Sequence, residues 1–156
     1  MNEVRQSLCE WRAEGSKLSG VVIKYGDFAE MFGEKETILP AAFGDLSKAD
    51  VILNRQHQRT APLARTPETL RLMSAGDTLT MEADLPDTEM ARETLTLVKS
   101  GVLRGLSIEF LVKDQEIEGD IRIIKAAELR GIGVVDTPAY PNSKVSARHT
   151  PVRLLV

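Results

Sequence analysis

The sequence predicts a mainly β domain with a few helices, an α+β fold organised as an antiparallel β-barrel or curled sheet with helices on its outside. Three observations carry this expectation. Short apolar runs bounded by Gly, Pro and Asp recur along the chain, Gly-Asp pairs sit between alternating segments, and one helix-period segment separates strands that would otherwise be neighbours. At 156 residues the chain suits one domain with a core of its own.

Strands are expected at "GVVIKYG" (20–26), "ETILP" (36–40), "VILN" (51–54), "TLRLMS" (69–74), "LTMEADL" (79–85), "LRGLSIEFLV" (103–112) and "IRIIKAAELRGIGVVD" (121–136). Gly76-Asp77 and Gly119-Asp120 each lie between two such segments and read as hairpin turns, which makes their neighbours antiparallel. "PDTEMARETLTLVKSG" is the clear helix. Asp87 or Thr88 can cap it, Met90, Ala91, Thr94, Leu95 and Val98 share a face, and Gly101 stops it. A shorter helix is expected after Pro40 through "AAFGDLSK", with proline in its first turn. "PLAR" and "PAYPNS" read as turns, and "SARHTPVRLLV" as a peripheral tail.

Composition narrows the function. The 42% hydrophobic and 28% charged content is that of a soluble globular protein, and no run of about 18 apolar residues is present to span a bilayer. The N-terminus lacks a basic segment followed by an apolar one, so a cytoplasmic location is the expectation. A single cysteine, Cys9, allows no internal disulfide, and with His57 and His149 it offers too few ligands for a structural zinc site. No metal or cofactor is expected. The net charge of −3 and 4% aromatic content give no basic stripe with stacking rings, so nucleic acid is not an expected partner.

The stretch "RGLSIEF" raises the chemical question. Ser107 stands between Leu106 and Ile108 in what reads as a buried strand, where an unpartnered hydroxyl costs roughly 1–3 kcal/mol. His57, in "NRQHQRT", leaves a strand for a loop, a common place for catalytic groups. Imidazole is the side chain suited to take a serine proton near neutral pH, so Ser107 and His57 form a candidate nucleophile and base. A third group usually fixes the imidazole's tautomer, and by position the candidates are Glu109, Glu128 and Asp136. On spacing alone the chain reads as a soluble β-rich domain with a candidate hydrolase pair.

Taken in order, "GVVIKYGDFA", "ETILPAAF", "VILNRQHQRTAPLAR", "LTMEADLPDTEMARETLTLVKSGVLRGLSIEF" and "AELRGIGVVDTPAYPNSKV" resemble the prohead (procapsid maturation) proteases of tailed bacteriophages, distant relatives of the herpesvirus assemblins. The "LPDT…GxLRGLSIxF" block is the most specific part and "VVDTPAY" closes the series. The resemblance spans residues 18–146, leaving 1–17 as an N-terminal extension and 147–156 as a tail. It implies a serine endopeptidase with a herpesvirus-protease-like barrel, Ser107 as nucleophile and His57 as general base. It also implies oxyanion stabilisation by backbone amides near the closing loop, donors typically worth about 3–4 kcal/mol each.

One departure stands out. Where many members carry a glutamate and, two residues on, a serine, this chain has Gly131 and Gly133. The third role then falls to Glu128 first, which a bulge near Gly131 would turn onto the right face, then to Asp136, with a Ser107–His57 dyad as a further form. The implied substrates are the scaffold and major capsid proteins, with the protease's own tail, cleaved inside an assembling procapsid in the host cytoplasm. Self-association through outer helices is also implied. The competing reading is a protease-fold module without activity, serving a structural or scaffold-docking role. A small-ester hydrolase is disfavoured because no G-x-S-x-G elbow is present.

Overall fold

Alternation of apolar and polar residues builds two sheets whose apolar faces meet. The computed structural model describes residues 9–10, 16–31, 34–137, 140 and 143–149. The strands are β1 (Cys9–Glu10), β2 (Ser16–Lys24), β3 (Phe28–Met31), β4 (Glu34–Ile38), β5 (Ile52–Arg55), β6 (Pro62–Arg65), β7 (Leu70–Ala75), β8 (Thr78–Leu85), β9 (Gly105–Glu118), β10 (Ile121–Val135) and β11 (Lys144–His149). One sheet runs β1-β11-β2-β8-β7; the other runs β3-β4-β10-β5-β6, with β9 paired along β10. Leu18, Ile23, Ile38, Leu53, Leu70, Leu79, Leu106, Ile124 and Ile132 are fully buried between them.

The expected strands form, and both Gly-Asp pairs are hairpin loops. Gly76 and Gly119 hold φ of 62° and 63°, the left-handed conformation that a two-residue hairpin needs and that glycine adopts without strain. The helix α1 (Glu89–Lys99) begins at Thr88, whose hydroxyl accepts from the Ala91 amide at 3.1 Å, and buries Ala91, Thr94, Leu95 and Val98. The segment after Pro40 differs from expectation. It makes turns and then a single 3-10 turn at Leu46–Lys48, capped by Asp45, because Gly44 sits at φ 60° where a helix would have to continue. "PLAR" is strand β6, its proline at the first position, where a missing N–H costs the ladder least.

The barrel expectation is corrected. Among the described residues neither sheet closes on itself, and the pairing is mixed rather than antiparallel. The cause lies in β10. It is paired with β9 along one side, while its other side takes β4 at residues 121–124 and β5 at residues 131–134, both parallel. Parallel pairing needs long connections, and the chain from β5 to β10 supplies one. β11 pairs antiparallel with β2 from Lys144 to His149, running past residue 146, and β1 pairs with it in parallel at Ala147 and Arg148.

Candidate active site

The strand that carries Ser107 explains its polarity. Leu106 and Ile108 are buried in the core, whereas Ser107 and Glu109 point to the opposite face by the two-residue period of a strand. The side chain therefore lies on the face away from the core, and is half-buried there.

Two rows of residues cross three strands on that face. Ser107 on β9, Gly133 on β10 and Asn54 on β5 are register partners in one row; Glu109, Gly131 and Ile52 form the next. The central position of each row is glycine, and the space it leaves is filled from outside the strand. A Cβ on Gly133 would lie 2.9 Å from Cε1 and Nδ1 and 3.0 Å from Nε2 of His57, and one on Gly131 would lie 3.2 Å from Oε1 of Glu109. The imidazole thus occupies the volume that a side chain at 133 would take.

The turn after β5 puts it there. The Gln56 amide donates to the Val134 carbonyl at 2.9 Å, which extends the ladder by one bond; Gln56 and His57 then both adopt left-handed backbone, φ 54° and 56°. The Gln58 amide closes the turn on the Arg55 carbonyl at 3.0 Å. Two successive non-glycine residues in this conformation cost of order 1 kcal/mol or more each, strain of the kind found at functional sites. Arg55 anchors the turn from the other face, donating to Glu93 on α1 at 2.6 Å.

His57 Nδ1 and Glu109 Oε1 are 2.7 Å apart. An ionised carboxylate only accepts, so Nδ1 donates in this contact, and in the neutral ring that tautomer leaves the lone pair on Nε2. Nε2 sits over Gly133, whose antiparallel partner is Ser107, and opposed positions in such a pair stand about 4.5–5.5 Å apart. The ring therefore lies over the residue that stands opposite Ser107. The His57 side chain is 29% and that of Glu109 54% exposed, so the pair is open to an incoming chain.

Glu128 is on the same face but held elsewhere. The register of β10 against β9 shifts between Leu129 and Gly131, so Glu128 pairs with Leu111 and faces the cleft, as the bulge expectation requires. Its carboxylate, however, accepts from Arg130 Nε at 2.9 Å and meets Lys113 Nζ at 3.7 Å; the Arg130 bond, ahead of the other contacts, lowers its pKa. Glu109, not Glu128, meets the imidazole. Asp136 is exposed in the bend after β10 and does not line the cleft. Glu109 was one of three candidates by position; what singles it out is its contact with the imidazole.

A cleft of about 680 Å³ runs from Asn54 and His57 past Glu109 and Leu111 to Glu128 and Arg130, with Ser107 one row beyond Glu109. A second, of about 630 Å³, lined by Phe43, Leu46 and Leu129, shares Asp50 and Glu128 with the first. The segment after β10 is pinned nearby. Ser143 Oγ contacts the Leu106 carbonyl at 3.2 Å and the Val21 carbonyl at 3.0 Å, and the buried Tyr140 hydroxyl donates to Glu36 at 2.8 Å. Residues 138–139 and 141–142 of this closing loop, near which backbone oxyanion donors are expected, lie outside the described residues. Among the described residues no cluster of three or more His, Cys, Asp or Glu is arranged to hold a metal ion, and no helix is long and apolar enough to cross a membrane.

The model of the caudovirus prohead serine protease family matches residues 3–154. No curated protein and no solved structure matches the chain significantly. The match covers nearly the whole sequence, and the chain belongs to the caudovirus prohead serine protease family. Its activity class is accordingly that of a serine protease in phage capsid maturation.

Proposed function

We propose, from membership of the caudovirus prohead serine protease family, that this chain cleaves peptide bonds with Ser107 as nucleophile, His57 as general base and Glu109 as the group that orients the imidazole. The observation that carries the reading is the 2.7 Å contact from His57 Nδ1 to Glu109 Oε1, over a glycine whose cross-strand partner is Ser107. Nε2 takes the hydroxyl proton as Oγ attacks the scissile carbonyl, and the imidazolium is stabilised by the carboxylate at Nδ1. The proton then passes to the leaving amine, and water, activated by the same nitrogen, releases the acyl group. The departure at Gly131 no longer favours an inactive module, because the acid stands across the ladder.

The substrates in this reading are the scaffold and major capsid proteins, met inside the assembling procapsid, and the chain's own tail. The two clefts sharing Asp50 and Glu128 suit an extended peptide laid along β10. Confinement in a shell raises the substrate to about millimolar local concentration, so a shallow groove of modest affinity is sufficient.

Co-expression of the chain, or of Ser107→Ala, with the coat and scaffold proteins encoded beside it, read by intact-mass spectrometry, tests this. Truncation confined to the wild type is the expected result. Equal truncation with Ser107→Ala removes the serine from the mechanism. Intact proteins in assembled shells with both samples favour the inactive module.

A further inference from the structure

Asn54 is a polar residue where packing asks for an apolar one. It is 4% exposed, and its Oδ1 has no hydrogen-bond partner. An orphaned acceptor of this kind destabilises a fold and is rare enough to require a reason. Its position supplies one. Asn54 is the register partner of Gly133, on the side away from Ser107, and lines the same cleft as His57 and Glu109. The imidazole, seated over Gly133, is therefore flanked by Ser107 on one strand and by Asn54 on the other.

We infer that Asn54 is a positioning residue for His57, a neutral acceptor left unpaired in the resting site so that its carbonyl dipole stabilises the ring when Nε2 has taken the serine proton. This rests on the proposed serine mechanism. A carboxylate there would hold the ring protonated at rest and disable the base; an alkyl group would leave the imidazolium supported by Glu109 alone. Glu109 from β9 meets the ring, and the other charged side chains that line the cleft are Glu128 and Arg130 from β10, Asp50, Arg65 from β6, and Arg59, two residues on from His57. Two of the three arginines are neutralised, Arg65 by Asp50 and Arg130 by Glu128.

The test follows the rate at which a fluorophosphonate labels Ser107, as a function of pH, beside thermal unfolding, in the full chain and in Asn54→Leu and Asn54→Ala. Both variants are expected to label roughly 10-fold more slowly, since a lost hydrogen bond to a charged group has about that effect. The acid limb should also move to lower pH by about half a unit or more, because the imidazolium has lost a supporting acceptor. Asn54→Leu should at the same time unfold about 2–4 °C higher, having shed an unpaired buried group. Asn54→Ala retains the readout if the larger side chain prevents folding. Folded variants that keep the wild-type labelling rate and acid limb reduce Asn54 to a structural role and overturn the inference alone. A wild type that is not labelled at Ser107 overturns the serine mechanism and the inference with it.

Discussion

The two ends of the β9–β10 hairpin use the same ladder for opposite purposes. Toward the loop, at residues 113–118 and 121–125, outward side chains are met by partners: Glu116 faces Lys125 at 3.7 Å, and Gln115 accepts from Arg122 Nε at 2.5 Å. Toward the other end, at residues 105–109 and 131–135, β10 presents Gly131 and Gly133 opposite Glu109 and Ser107, and the vacated space admits an imidazole from a different turn. Polar pairs across a strand give a solvated, modestly stabilised surface. Missing side chains give a place where chemistry can be assembled, at the expense of packing. Replacement of the glycines is the strongest way to break that contrast. Gly133→Val puts carbon within the volume of the imidazole, and cleavage should fall by roughly 10³-fold or more, the scale seen when a base is lost from its nucleophile. Circular dichroism should be unchanged because the displaced ring can swing to solvent. An active, folded Gly133→Val would show that His57 works from somewhere else.

The two carboxylates in the cleft sharpen the comparison. Glu109→Gln leaves the shape and removes the charge that the proposed mechanism uses to fix the tautomer, with an expected loss of about 10²- to 10⁴-fold in cleavage rate. Glu128→Gln should stay within about 3-fold, since its charge is spent on Arg130 and Lys113 at the surface. Reversed results would return the third role to Glu128. The base also sets a sign for pH: cleavage should fall on acidification as the imidazole becomes unable to accept a proton. A rate constant from about pH 5 to 9 would contradict a histidine base.

What the sequence could and could not reveal follows from range. The hairpins at Gly76 and Gly119, the capped helix at Thr88 and the parity of Ser107 with Glu109 are local facts, and local chemistry decides them. Residue type together with a family resemblance made Ser107 and His57 the candidates. Which carboxylate meets the imidazole was not legible, because it depends on a register shift at Arg130 and on a void whose occupant comes from residue 57. Parallel pairing of β10 with β4 and β5 was hidden for the same reason: those strands read as ordinary short apolar runs, and only the tertiary path sets their direction. Asn54 gave a faint signal, a polar residue ending the run "VILN", without saying which face it would take.

The smallest expected effect tests the paired half of the contrast in the other sheet. Asp84 on β8 receives Arg71 at 2.9 Å and Lys17 at 2.5 Å, and these bonds, that from Arg71 first, hold its carboxyl at about 2. A carboxyl lowered on folding adds stability above its unfolded value near 3.9, and that stability disappears as pH falls through about 2. The side chain is 44% exposed, so solvent screening limits the contribution to ~1 kcal/mol or less. Asp84→Asn should therefore lower the urea midpoint slightly at neutral pH, and the gap from wild type should narrow as pH drops from about 4 toward 2. Cleavage should not change. A gap that persists at the lowest pH would assign the loss to packing of the side chain; a loss of activity would mean that the two halves of the contrast are coupled across the sheets.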